Sequence, residues 1–348
     1  MEFKIGTRTI GNGAATFIIA ELSANHNQSK EIAIQSVYAA KEAGADAIKL
    51  QTYTADTLTI DSELDYFKIK GGTLWDGDTL YRLYQKAFTP WDWQPELKEI
   101  AERIGIICFS SPFDNTAVDF LEKMNVPAYK IASFEITDIP LIEYVAAKMK
   151  PVIISTGIAN FNDIKEAIDA CNRMGNTQIA LLKCTSAYPA LIEDANLLTI
   201  PYLAATFRTI VGLSDHTLGT MVASTAVALG ASIIEKHFIL DKNIGGPDAE
   251  FSLDPVEFKQ MVDDIRSVEK SLGGETIDFT EKTISNRRFA RSLFVVEDIG
   301  ADEELTTDNI RSIRPNNGLH PKYYSQVIGR KAGLKLIKGT PLSWDLIT

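Results

Sequence analysis

The sequence predicts an α/β chain, a (β/α)8 barrel of the TIM type followed by a small β-rich C-terminal domain. Three observations carry that expectation. Eight short apolar, β-branched runs recur, most of the segments between them have helical periodicity, and after about Asn286 the pattern changes to short strand-like runs split by charged turns.

The eight runs are 17–23, 47–53, 105–112, 128–133, 151–157, 179–186, 210–216 and 232–238. Strands buried on both faces read as continuous apolar stretches, as parallel sheets require. The segment 29–43 shows the helical alternative, with Ile32, Ala33, Val37 and Ala40 on one face and Gly44 as its stop. Eight such units suit a closed barrel better than an open sheet. The longer gap after the second run, 58–75, carries Lys68, Lys70, Gly71, Gly72 and Trp75 in no clear period and is expected as an insertion near the barrel mouth. The division is placed at 1–285 for the barrel and 286–348 for the second domain, whose strand-like runs are 292–296, 310–313 and 335–337. So small a domain is marginal alone and is expected to pack on the barrel or on a partner subunit.

A chain of 348 residues with 45% hydrophobic content can bury a full core. Its net charge of −11 offers no basic face for nucleic acid. The N-terminus lacks a charged-then-apolar signal, and the longest apolar stretch, 221–234, is short and interrupted by Ser and Thr. The expectation is a soluble, cytoplasmic protein with no membrane partner. Cys108, Cys171 and Cys184 show no paired spacing, which fits buried thiols in a reducing compartment, and Cys184 is not expected to act as a nucleophile.

Barrels of this type work at the carboxyl ends of their strands. Polar residues fall there in every run: Glu21 and Ser23, Lys49 and Gln51, Ser110 and Ser111, Lys130 and Ser133, Ser155 and Thr156, Lys183 with Thr185 and Ser186, Ser214 with Asp215 and His216, and Glu235 with Lys236 and His237. Lysines in the second, fourth, sixth and eighth strands would each cost several kcal/mol to bury unpaired. Glu21, Glu135 and Glu235 can neutralise some of them; four cations flanked by serines favour a bound phosphate or carboxylate. Two of the four histidines, His216 and His237, end neighbouring strands and suggest a divalent metal site with open positions. Gly11-Asn12-Gly13 is expected as a hairpin turn, Tyr81, Tyr84 and Phe88 as packing, and 297–304 as a solvated turn.

These residues stand in AELSANHN (20–27), AIKLQTY (47–53), YKIASFE (129–135), STG (155–157), KCTSAYP (183–189), GLSDHT (212–217), EKHF (235–238), FARSL (289–293) and RPNNGLHP (314–321). Together they resemble the sialic acid synthase family across essentially the whole chain, with a C-terminal segment similar to that family's antifreeze-like (SAF) domain. The resemblance implies a transferase that condenses phosphoenolpyruvate with an acetamido-sugar aldehyde. Phosphoenolpyruvate would be held by Lys49, Lys130, Ser133, Ser155, Ser186, Tyr188 and Ser214, and Mn2+ or Mg2+ by His216 and His237, with Glu21 or Glu135 handling the water proton. It also implies a domain-swapped homodimer in which Arg314 reaches across to the sugar, while Asp248 and Phe289 fall at sugar contacts. Leu22-Ser23-Ala24, Ser186 and SIRPNNGLHP depart from the AEIGxNHNG, CTNxYP and KRPGNG of the N-acetylneuraminate branch. They favour 2,4-diacetamido-2,4,6-trideoxy-L-altrose, with a methyl where N-acetylmannosamine has a hydroxymethyl. N-acetylneuraminate- and legionaminate-type synthases are the alternatives within the family. A Schiff-base pyruvate aldolase using a lysine such as Lys183 is the alternative outside it.

Overall fold

The computed structural model describes residues 1–70, 75–274 and 276–348; Gly71 and Gly72 of the expected insertion lie outside them. The chain divides into two compact units, Met1–Gly273 and Gly274–Thr348, each described by itself.

The first unit opens with a hairpin of β1 (Glu2–Ile5) and β2 (Arg8–Gly11). Its two-residue corner is Gly6-Thr7, where Gly6 supplies φ +55°. Gly11-Asn12-Gly13 is therefore not the hairpin turn: it follows β2 and redirects the chain through three successive positive φ values, 86°, 50° and 75°. Gly6 and Gly11 abut the side chains of Ile107 and Ile210, the first residues of two barrel strands, so the hairpin lies across the amino ends of the barrel.

The barrel strands are β3 (Phe17–Glu21), β4 (Ala47–Thr52), β5 (Ile107–Pro112), β6 (Tyr129–Ile131), β7 (Val152–Ser155), β8 (Ile179–Cys184), β9 (Ile210–Asp215) and β10 (Ile233–His237). They close as a parallel barrel in chain order, with β10 pairing back onto β3, and each lies inside one of the eight expected runs. The connecting helices bear the start and stop signals legible in the sequence. Ser29 caps Lys30–Glu42 by accepting from the Ile32 amide. Asn160 with Asp163, and Asp254 with Glu257, form capping boxes on Phe161–Arg173 and Pro255–Leu272. The apolar stretch 221–234 is split between the helix Met221–Ala228 and β10, and among the described residues no helix is long and apolar enough to cross a membrane.

The second unit pairs β11 (Ser292–Val295) with β12 (Ile310–Ile313) antiparallel over a core of Leu293, Val295, Ile299, Leu305, Ile310 and Leu342. The run 335–337 is not a strand; it contributes one bridge, Leu336 to Ile299. Ser292 ties FARSL to RPNNGLHP, donating to the Pro315 carbonyl at 2.6 Å and accepting from the Gly318 amide at 2.9 Å. A side chain at 318 would strike the Leu293 carbonyl. The span 297–304 is exposed except for buried Ile299 and half-buried Gly300, as a solvated turn should be.

Gly212 marks a tight point within the barrel strands, because a Cβ there would collide with the Ile233 carbonyl and the Leu182 side chain. Gly212→Ala is expected to destabilise the fold by about 1–3 kcal/mol, since the Ile233 carbonyl is backbone of the paired strand and cannot move away without disturbing that pairing. Urea unfolding checks this, and an unchanged midpoint would contradict it.

Candidate active site

Side chains alternate along each strand, so polar groups two residues apart near the strand ends converge on the interior. Glu21, Lys49, Gln51, Ser111, Lys130, Ser155, Cys184, Ser214, Glu235 and His237 line a small cavity of about 50 Å³, joined by Ser133, Tyr188 and His216 from the turns that follow. The same alternation sends two of the four strand lysines away from it. Lys183 precedes the inward Cys184 and donates instead to the Cys184 carbonyl at 2.8 Å and to Thr185 Oγ1 at 3.1 Å. Lys236 precedes the inward His237 and pairs with Asp215 at 2.7 Å. The expectation that all four lysines await an external anion is thus corrected to two, and Lys183 does not offer a Schiff-base amine to the cavity.

Lys49 and Lys130 are buried at its floor. Lys49 Nζ lies 2.5 Å from Glu21 Oε2 and 3.6 Å from Glu235 Oε1, and Lys130 Nζ lies 3.5 Å from the same Glu235 oxygen. Burial alone would push the Glu235 carboxyl up, but Lys130 and Lys49 outweigh it and hold it below the usual range. Burial dominates at Glu21, whose carboxyl is pushed up to about 7 against the pull of Lys49. Two carboxylates sharing one lysine therefore differ in kind: Glu235 is a fixed counter-charge and Glu21 exchanges a proton near neutrality.

Ser155 Oγ, Glu235 Oε2, Glu135 Oε2 and His237 Nδ1 are buried here without hydrogen-bond partners. Buried polar atoms are otherwise nearly always paired, so these mark a site shaped for something else. Gly157 keeps part of it open, since a Cβ would strike the hydroxyls of Ser133 and Ser186, themselves hydrogen-bonded at 2.9 Å. Two ammonium groups with converging hydroxyls fit a phosphate or carboxylate.

The His216 and His237 rings stand 5.4 Å apart, His216 against Tyr188 at 4.4 Å and His237 against Phe251 at 4.9 Å. His216 Nδ1 donates to the Thr185 carbonyl at 2.8 Å, a closer partner than Cys184 Sγ at 3.9 Å, so the neutral ring keeps its lone pair on Nε2. Burial pulls the His216 pKa down, but Cys184, the Thr185 carbonyl and Asp215 outweigh it and hold the pKa above its ordinary value. Burial, with His216 and the lysines nearby, holds His237 well below its ordinary pKa and therefore neutral. Two imidazoles fixed in this way fit a divalent ion. Among the described residues no third His, Cys, Asp or Glu completes a cluster, so further coordination positions would fall to water or substrate. The other histidines are structural. His26 bonds Thr89 at 3.1 Å, burial lowering its pKa to about 4, and His320 caps the turn at Pro321.

Above the histidines the inner cavity opens into an outer one of about 420 Å³, with Tyr53, Leu58, Leu83, Tyr84 and Phe113 among its apolar wall and Glu135, Ser186 and Asp248 among its polar groups. Leu58, Ile69 and Trp75 of the expected insertion also face it. Tyr84 is more than packing: it stacks edge-on against Tyr53 at 5.8 Å while facing the cavity. Ser23 Oγ donates to Asp248 at 2.5 Å, and the Gln51 amide bridges Glu21 at 2.9 Å and Ser23 at 3.0 Å. That network holds Ser23 at φ +46°, a strained setting for a residue with a side chain. Phe289 and Arg314, expected at the sugar, are exposed residues of the second unit, with Arg288 stacked 4.6 Å over the Phe289 ring. Gln51, Ser111 and Glu235 were not among the expected ligands; the signal for Glu235 was its spacing of two from His237.

The NeuB family profile matches residues 36–277, and the SAF domain profile matches 290–348. The chain belongs to the NeuB family. It is 52% identical to the pseudaminic acid synthase of Helicobacter pylori over 94% of this chain and 96% of that one. It is 49% identical to the pseudaminic acid synthase of Campylobacter jejuni over 94% and 95%. The structure of N-acetylneuraminic acid (sialic acid) synthetase from Leptospira borgpetersenii, solved with citrate, superposes with TM-score 0.74 at 30% identity, covering 82% of this chain and 95% of that one.

Glu135 offers a test of these electrostatics. Burial pushes its carboxyl from 4.5 to about 7. A carboxyl whose pKa rises on folding costs nothing while both states are protonated, and its cost grows as pH climbs from about 4.5 to about 7. Glu135→Gln is therefore expected to gain up to about 3 kcal/mol of stability at pH 8 and nothing at pH 4. Urea midpoints at the two pH values check it; an equal gain at both would refute the buried-carboxyl account.

Proposed function

We propose that this chain is a pseudaminic acid synthase, condensing phosphoenolpyruvate with 2,4-diacetamido-2,4,6-trideoxy-L-altrose and water to give pseudaminic acid and phosphate. The observation that carries the reading is the stacking of three environments in one mouth: the Lys49–Glu235–Lys130 floor, the paired His216 and His237 imidazoles, and the apolar outer cavity.

Lys49 and Lys130, with the hydroxyls of Ser133, Ser155, Ser186 and Ser214 and with Tyr188, hold the phosphate and carboxylate of phosphoenolpyruvate. The acceptor lies in the outer cavity against Asp248, its methyl end on the apolar wall, where a hydroxymethyl would lose hydration without a partner. A divalent ion on His216 and His237, Mn2+ or Mg2+, would supply polarisation of the acceptor aldehyde. The methylene carbon of phosphoenolpyruvate forms the new C–C bond. Glu135, half protonated near pH 7 and facing the outer cavity, gives its proton to the oxygen that was the aldehyde. Glu21, in the inner cavity, takes the proton of the water that adds at carbon 2. Phosphate then leaves by C–O cleavage, its charge stabilised by the same two lysines.

The reading includes a homodimer in which the C-terminal domain of one protomer caps the barrel of the other, bringing Arg314 and Phe289 to the sugar. Family membership supports it, as does the exposure of both side chains. A cytoplasmic enzyme without nucleic-acid or membrane partners is part of the same proposal.

Phosphate release is expected with the 6-deoxy diacetamido-altrose and Mn2+, none with N-acetylmannosamine, and none in EDTA. Release with N-acetylmannosamine alone would move the enzyme to the sialic branch, and full release in EDTA would remove the metal. Light scattering is expected to give twice the 38.4 kDa chain mass, and Arg314→Ala to raise KM for the sugar at least tenfold with KM for phosphoenolpyruvate unchanged. A monomeric mass, or equal effects on both KM values, would exclude the cross-subunit arrangement.

A further inference from the structure

Behind the two histidines, on the outward faces of β9 and β10, lies an ion pair that touches neither cavity. Asp215 and Lys236 are register partners, with side chains 1% and 0% exposed. Lys236 Nζ donates to Asp215 Oδ2 at 2.7 Å and to the Thr217 carbonyl. Asp215 Oδ1 accepts from the Thr217 amide at 2.9 Å and from its hydroxyl at 2.8 Å. Asp215, Thr217 and Lys236 thus form a closed ring. It spans His216, whose chain neighbours are Asp215 and Thr217, and adjoins His237, which follows Lys236.

The place of this ring in the ladder gives it a purpose beyond packing. The β9–β10 register ends at the Asp215–Lys236 pair, so no strand pairing joins His216 to His237. The backbone of His216 is anchored to β8's side of the barrel through the Ala190 amide at 3.0 Å, and that of His237 to the Leu253 amide at 2.9 Å. At the end of the β9–β10 ladder the ring adds a buried side-chain link between the two histidine-bearing segments, on the face opposite the Ser214–Glu235 hydrogen bond. We propose that Asp215 and Lys236 are a positioning pair that fixes the separation of His216 and His237 for metal binding. This rests on the metal reading given above.

A pair that served packing alone would be replaceable by apolar groups of similar volume without loss, because buried ion pairs rarely add net stability over such groups. Asp215→Leu combined with Lys236→Met makes that replacement, and Mn2+ binding to the substrate-free protein, followed by the EPR signal of free Mn2+, reads the outcome. The double variant is expected to keep its circular dichroism spectrum and to lose roughly 10- to 100-fold in Mn2+ affinity, the range typical of outer groups that orient metal ligands. Its kcat falls while KM for phosphoenolpyruvate, set by Lys49 and Lys130, holds; Lys236→Arg, which keeps the contact with Asp215, recovers most of the affinity. A folded double variant binding Mn2+ as tightly as the parent overturns the proposal. Thr217→Val leaves every charge paired and removes a single hydrogen bond of the ring, so it carries the test if the double variant does not fold: several-fold weaker Mn2+ binding supports the proposal, and unchanged binding overturns it. A parent protein that binds no Mn2+ overturns both this proposal and the metal reading beneath it.

Discussion

Two ammonium groups sealed inside a closed barrel are the constraint on which the rest of the site depends. Lys49 and Lys130 are buried, and water cannot screen them there. Glu235, within 3.6 Å of both, is what lets them be there at all. The floor that results carries opposite charges in close balance, and its remaining capacity points one way: Ser155 Oγ and Glu235 Oε2 stay unpartnered toward the cavity. Parallel strands impose this geometry, because only residues of one parity on each strand face inward and only the last of these reach the mouth.

The same constraint separates groups that are chemically alike. Glu21 and Glu235 both contact Lys49, yet Glu235 also faces Lys130 and stays ionised, whereas Glu21 has one lysine against full burial and sits near 7. Glu135, farther out, reaches a similar value through burial, against the pull of Lys130. Environment, not residue type, assigns anchor and proton carrier. The histidines obey the same logic: the Thr185 carbonyl sets the tautomer of His216, and burial among cations keeps His237 neutral.

The eight strands were legible because a barrel strand buried on both faces leaves a long apolar signature, and the strand-end polar groups stand out against it. Parity was written in the sequence as well, since Glu235 and His237 lie two apart with Lys236 between them. Counting lysines without tracking parity turned two cations into four. Lys183 and Lys236 find their partners in Thr185, Asp215 and Thr217, residues close in space through turns whose paths no local pattern specifies. Gln51 went unassigned for a related reason: its task is to bridge Glu21 and Ser23, and that depends on the left-handed turn at Ser23. In the second unit a stretch such as 335–337 makes one bridge only, and so short a pairing leaves a period too brief to tell from a turn.

The two cavities differ in what builds them, and that difference bears on substrate choice. The inner one is made largely by strand residues whose positions the barrel's hydrogen bonding fixes, so the anion-binding end is tied to the fold itself. The outer one takes its apolar wall from segments beyond the strands, including Leu58, Leu83 and Tyr84 of the long connection after β4. Those side chains can change size or polarity without moving Lys49, Lys130 or the histidines. A single carbon–carbon bond-forming apparatus is thereby separable from the identity of the sugar it serves. On the acceptor proposed above, discrimination between a methyl and a hydroxymethyl would turn on whether the wall offers a partner to a hydroxyl, and Leu58, Leu83 and Phe113 offer none.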